Sequence, residues 1–309
     1  MPFVCLFLLI PVYANEARSI GLQELRYLRI PGAQEIVSDG RTGIFYAVSH
    51  QGKRRNVYRC TISGTTSQLR FDVGDSELVG TDSLRRPVLA KHNPLFALNS
   101  SSGKTTGFRD EPFRLLCVKS GFSMGTAPSG EILASWNTGS RYEFGDNWKS
   151  LGFASGYGPA MAIDISPLGN TAAATFESGS PLIGSFSLKT KKPEFRPVRL
   201  KLQSGQILGK TWITQMALVS QSTAVALIDA NALGSHPREV GLGITDHVDD
   251  GLPIRNILCR ISLKTGFVSP LITLKIGTSA DRVLTSIDEN GTFVVVDSDE
   301  VVHLYRLRS

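Results

Sequence analysis

The feature that most constrains this chain is a recurring unit: a turn rich in Gly, Pro, Asn, Asp and Ser that leads straight into a short apolar run. Ser38-Asp39-Gly40 leads into Ile44-Phe45-Tyr46-Ala47-Val48, and Ser166-Pro167-Leu168-Gly169 into Thr171 to Phe176. Ser220-Gln221-Ser222 leads into Thr223 to Ile228, and Asp288-Glu289-Asn290-Gly291 into Thr292 to Val296. Weaker copies stand at Asn93-Pro94 before Leu95 to Leu98, and at Pro128-Ser129-Gly130 before Ile132 to Ala134. Runs this short, bounded by turn formers, read as strands. No long stretch keeps apolar residues at i, i+3 and i+4, so helix is scarce.

A third strand is expected downstream of the turns, at Val57 to Ile62, Leu115 to Val118, Leu182 to Leu188, Ile257 to Leu263 and Val301 to Leu307. Two of these share a tetrapeptide before a turn, Ser187-Leu188-Lys189-Thr190 and Ser262-Leu263-Lys264-Thr265. A fourth follows in the best copies, such as Phe195 to Leu202 and Val268 to Ile276. Four antiparallel strands repeated roughly every 40–50 residues are the signature of a β-propeller blade. One such sheet cannot cover both of its faces, so neighbours stack around an axis. Six turn units predict an all-β fold: a single propeller of six four-stranded blades. Glu24 to Ile30, placed beside Val301 to Leu307, would close the ring and remove an exposed edge.

Composition agrees with one large domain. The chain has 309 residues, 41% hydrophobic and 19% charged, which supports a sizeable core and excludes a disordered chain. The formal net charge of +6 permits contact with anionic surfaces without demonstrating it. Its basic residues are scattered, and Lys91, Lys189 to Lys192 and Lys201 read as solvated turn and edge residues, so nucleic-acid binding is not expected.

The first fourteen residues read as an export signal, with Phe3 to Ile10 as the apolar core and Val12-Tyr13-Ala14 before the cleavage point. That run is too short to span a bilayer. The expected organisation is a signal peptide at 1–14 and a propeller domain at 15–309, periplasmic or secreted, monomeric, with no transmembrane helix in the mature chain. Cys60, Cys117 and Cys259 then remain, an odd number without C-x-x-C spacing, each inside an apolar stretch. They are expected as buried free thiols.

Pro31-Gly32-Ala33-Gln34-Glu35-Ile36-Val37 followed by Gly43 to Ser49 resembles the first blade of gluconolactonase, paraoxonase and strictosidine-synthase-like propellers. Ala160 to Pro167 resembles their central blade, and equally a blade of WD-type, YVTN or TolB-like propellers. The lactonase resemblance implies Ca²⁺ in the central channel, held by six to eight hard oxygen ligands. Glu35 matches the first-blade carboxylate. Gln34 stands where Glu usually precedes, Met161-Ala162 replaces the central Asn, and the next blade reads Gln215-Met216-Ala217. Those replacements remove oxygen ligands. They rank a non-catalytic module without cofactor above a Ca²⁺-dependent lactonase or arylesterase.

Two further motifs bear on mechanism. Gly121-Phe122-Ser123-Met124-Gly125 fits G-x-S-x-G, but Thr126-Ala127-Pro128-Ser129-Gly130 cannot readily build the helix behind such a nucleophile. Ser286 to Phe293 resembles the Asp-box of sialidase-like propellers, a turn staple, with its Gly displaced by one; Arg141 to Trp148 is a poorer echo. The longest interruption of the repeat, Asn231 to Pro253, carries His236, Glu239, Asp246, His247, Asp249 and Asp250 without a recognised metal spacing. In a propeller that connection shares a face with Lys53-Arg54-Arg55 and His50, and with Ser100 to Pro112. Glu35, His50, Asp246, His247 and Asp249 are therefore the candidate contacts for a small-molecule or protein ligand.

Overall fold

The computed structural model describes residues 21–51, 54–72, 76–82, 85–90, 95–98, 105–107, 114–119, 122–127, 131–136, 149–153, 160–176, 182–187, 195–202, 205, 207–208, 213–229, 254–276 and 282–308. All regular structure in them is strand. The proposed signal segment at 1–14 lies outside the described residues. No described helix is long and apolar enough to cross a membrane.

After β1 (Leu22–Arg29), one meander runs through β2 (Ala33–Ser38), β3 (Ile44–Gln51), β4 (Arg54–Thr61) and β5 (Thr66–Asp72). The next comprises β6 (Glu77–Thr81), β7 (Pro87–Ala90), β8 (Leu95–Leu98) and β9 (Thr105–Gly107). It is followed by β10 (Arg114–Lys119), β11 (Phe122–Thr126), β12 (Glu131–Trp136) and β13 (Lys149–Phe153). These two join into one eight-stranded sheet because β10 touches β6 in parallel at Val118 and Gly80. A further meander is β14 (Ala160–Ile165), β15 (Thr171–Phe176), β16 (Leu182–Ser187) and β17 (Phe195–Arg199). The short β18 (Lys201–Leu202) then adds in parallel to the far edge of β19 (Ile213–Leu218), β20 (Thr223–Asp229), β21 (Ile254–Ser262) and β22 (Phe267–Ile276). Last come β23 (Leu284–Ser286), β24 (Thr292–Val296) and β25 (Val301–Leu307), and β25 pairs antiparallel with β1 from Leu22↔Leu307 to Arg29↔Val301.

The first strands β2, β6, β10, β14, β19 and β23 all contribute residues to one central cavity. Each packs on the next in that order, and β23 returns to β2. This is a propeller arrangement. It explains why the apolar runs are continuous rather than alternating, since both faces of each sheet are covered. On β3, Phe45 and Ala47 enter the core shared with β23–β25, while Tyr46 and Val48 face Leu78 and Leu89 of the next sheet. On β20, Val225 and Leu227 face one neighbour and Ala224, Ala226 and Ile228 the other.

The four plain turn units all join a first strand to a second, and side chains fix them. Asp39 Oδ1 accepts from the N–H groups of Arg41 (2.9 Å) and Thr42 (3.0 Å). Asp288 Oδ1 accepts from Asn290 (2.8 Å) and Thr292 (2.9 Å), and Ser166 Oγ from Asn170 (3.2 Å) and Thr171 (3.1 Å). Short polar side chains closing on the backbone in this way make these residues turn formers.

The two weaker units sit one strand out of phase, between β7 and β8 and between β11 and β12. The first-to-second turn of the β6–β9 meander is instead closed by Asp82, whose carboxylate accepts from Arg86 N–H (2.7 Å) and Arg86 Nε (2.6 Å). Leu115 to Val118, expected as a third strand, belongs to the innermost strand β10. A short apolar run carries no mark of its depth in a sheet. Its place follows from Gly80, where the β10 backbone passes so close that a Cβ would stand 1.9 Å from the Val118 carbonyl oxygen.

Candidate functional site

Because the first strands run side by side in parallel, their beginnings share one face of the ring and their ends the other. The channel they enclose has a volume of about 90 Å³, room for a few waters and well below the roughly 300 Å³ of ordinary small-molecule pockets. Its two ends differ in chemistry.

At the strand ends a polar network closes the channel. Lys119 at the end of β10 is buried, and its Nζ donates to Asp164 Oδ1 and Oδ2 (3.0 Å each) and to Ser286 Oγ (2.6 Å). An ammonium has three N–H donors, so all are committed. Asp164 also accepts from Leu218 N–H (2.6 Å) through Oδ2 and from the Cys117 thiol (3.8 Å) through Oδ1. Ser38 Oγ donates to the Ser286 carbonyl oxygen. Four first strands thus meet at one ion pair, and β2 joins them through Ser286. Burial pushes the Cys117 thiol up to about 12, and the neighbouring Asp164 charge adds to the effect. That shift keeps the Cys117 thiol protonated at neutral pH.

The strand beginnings carry the other cluster. Glu35, 4% exposed, follows a register shift at the start of β2 and accepts from Arg55 Nη2 and from Leu78 N–H (3.2 Å). Arg55 also donates to the Ser76 carbonyl (2.8 Å) and to His50 Nε2 (3.0 Å), and His50 Nε2 lies 3.4 Å from Glu35 Oε1. His50 and Arg55 are cross-strand partners in the β3–β4 hairpin, so two sheets meet over one carboxylate. Glu77, Gln215 and Arg282 line the channel on this side, and Arg282 Nη1 donates to the Val79 carbonyl (3.3 Å).

The structure brings together Glu35 and His50. Asp246, His247 and Asp249 lie outside the described residues, as do the Ser100 to Pro112 loop and the Arg141 to Trp148 echo. The strands that flank the 230–253 connection pair at Asp229↔Asn256, so it leaves and re-enters on the Glu35 side. Ser123 is 3% exposed in mid-strand, opposite Val118 and Ser135, not on a strand-to-helix turn. Cys60, Cys117 and Cys259 are buried and free.

Among the described residues the donor chemistry does not match a calcium site. No group of three or more His, Cys, Asp and Glu among the described residues can hold a metal. The buried channel carboxylate Asp164 is already neutralised by Lys119, and Glu35 by Arg55. Sequence reasoning singled out neither Lys119 nor the Arg55 bond to Glu35. A charged residue ending or interrupting an apolar inner strand, as in Leu-Leu-Cys-Val-Lys119 and Ala-Ile-Asp164-Ile, was the available signal.

No protein-family model and no curated protein matches the sequence. Among solved structures, the chain is similar to the β-propeller domain of Cps50 (Swd1) from Myceliophteria thermophila, with a TM-score of 0.55 at 8% identity, over 93% of this chain and 100% of that one. It is also similar to a chain in the crystal structure of the mitotic checkpoint complex, with a TM-score of 0.50 at 12% identity and 100% of both chains covered. At such identities the likeness speaks for the fold alone, and with the ring of inner strands it makes this chain a β-propeller.

Proposed function

We propose that the protein is an exported propeller of six four-stranded blades, closed by its own β1, that binds a protein or small-molecule ligand through its loop-rich face and performs no reaction. The observation that supports this reading is the Lys119–Asp164–Ser286 network, in which the ammonium donors are already committed to protein acceptors. Six first strands around one cavity support the blade count, and the β1–β25 ladder supports the closure. Fold alone does not dictate function. The checkpoint-complex likeness, by analogy, favours a protein partner.

Glu35 and His50, with Asp246, His247 and Asp249 from the long connection, are the proposed contacts. The signal at 1–14 is removed on export, leaving a monomeric domain that begins near Asn15. Photo-crosslinking tests the face: benzoylphenylalanine at exposed Gln51, in the β3–β4 hairpin, is expected to trap a partner, and at exposed Leu168, on the opposite end, to trap none. Adducts from Leu168 alone would overturn the assignment. A melting temperature raised by Ca²⁺ and returned by Glu35→Ala, together with hydrolysis of a lactone, would replace binding with the hydrolase alternative. Mature protein that begins elsewhere than near Asn15 would count against export by this signal.

A further inference from the structure

The sheet of β19–β22 with β18 has a basic outer margin. Residues 195–202 and 254–276, which build β17, β18, β21 and β22, contain no Asp or Glu. Arg196, Arg199, Arg260 and Lys264 are exposed there. Lys201 is paired in register with Phe267 on one side and bridged to Ile207 on the other, so the three form one row across the sheet. Ile207 is 56% exposed and Phe267 37%, and the Lys201 ammonium lies 4.6 Å from the Phe267 ring centroid.

The cations surround this row. Arg199, exposed, ends β17, and Lys201 begins β18 after the single buried residue Leu200. The Arg199 carbonyl oxygen is close enough to Gly266 that a Cβ there would stand 1.9 Å away. Lys264 is in the turn that delivers Phe267, and Arg260 pairs with Ser269, two residues beyond Phe267 on the same strand. Two large apolar side chains therefore lie exposed, and the charged residues described around them are all cations.

We infer that this margin is a docking surface for a protein partner's acidic segment with interspersed apolar side chains. Charge complementarity points to the occupant, because the cations described along this margin attract carboxylates and disfavour a basic partner. The row then adds what charge alone does not: Ile207 and Phe267 lose water only against apolar side chains. A nucleic-acid backbone presents phosphates but no complement to exposed Ile207. A bilayer surface takes apolar groups that project into it, whereas the Phe267 ring is held beside the Lys201 ammonium. The margin is separate from the β3–β4 hairpin, so the margin variants below test this inference without altering the loop-face contacts.

Fluorescence anisotropy of the whole protein with a labelled synthetic peptide of alternating Glu and Leu tests it. The peptide is expected to bind, and to lose at least about tenfold in affinity with the double variant Arg260→Glu/Lys264→Glu and with Phe267→Ser. Both variants alter exposed side chains, and an unchanged melting temperature verifies their folding. A Glu-only peptide is expected to bind more weakly than the Glu-Leu peptide. Failure of the Glu-Leu peptide to bind, or equal affinity for wild type and folded variants, overturns the inference. So does equal affinity for the Glu-only peptide, or stronger binding to phosphatidylserine vesicles or duplex DNA.

Discussion

Lys119 Nζ lies 3.0 Å from both carboxylate oxygens of Asp164, and the pair joins β10 to β14 across the channel wall. Removing one partner strands a buried charge, which costs about 3–5 kcal/mol. Lys119→Met is expected to lower stability by that amount. Lys119→Met combined with Asp164→Leu should recover a large part of it, because no charge is then left unpaired. Urea unfolding of the two single variants and the double variant measures the coupling, and additive losses would refute it.

Gly80 sets how closely the β6 and β10 backbones approach. Its φ is +154°, and an added Cβ would stand 1.9 Å from the Val118 carbonyl oxygen. Backbone, unlike a flexible side chain, cannot swing away. Gly80→Ala is expected to destabilise the protein by about 2 kcal/mol or more, with faster amide exchange along Arg114–Lys119. Unchanged exchange there would show that the two strands separate at no cost.

These sites mark where the sequence was legible. The four strong turns were readable because Asp39, Ser166 and Asp288 act within a few residues of themselves, and local chemistry leaves a local trace. Continuous apolar runs such as Thr171 to Phe176 announced strands covered on both faces. The depth of Leu115 to Val118 was not readable, since it depends on Gly80, far away in the chain. Likewise, nothing near Glu35 in sequence reveals Arg55, its partner from the next strand but one. Long-range partners of charged residues are set by the ring rather than by the neighbouring residues.

His303 on β25 ties the β1 seam. Its Nδ1 stands 2.8 Å from Glu24 Oε1 on β1, and its Nε2 2.8 Å from Asp297 Oδ2, while its ring stacks on Tyr305. His303→Phe keeps a ring in place and removes both polar contacts. Amide exchange over Leu22–Arg29 is expected to speed by about tenfold, the equivalent of one or two modest hydrogen bonds. Equal acceleration throughout the molecule would mean that the contact stabilises the whole fold and not this seam.

The buried thiols predict an alkaline limit to stability. Burial pushes Cys60, Cys117 and Cys259 from 9.0 up to about 12 in the folded protein. Between those values the unfolded chain releases thiol protons that the native state retains. The unfolded state then binds fewer protons, so stability falls as pH rises through this window, by up to about 1.4 kcal/mol per pH unit for each thiol. Below it the thiols contribute no pH dependence. Tyr46, raised chiefly by burial, acts in the same direction at the upper end. Urea midpoints measured upward from about pH 8 should decline, and Cys259→Ala should make the decline shallower. A flat profile, or one that Cys259→Ala leaves unchanged, would show that the thiolates form in the folded state as readily as in the unfolded one.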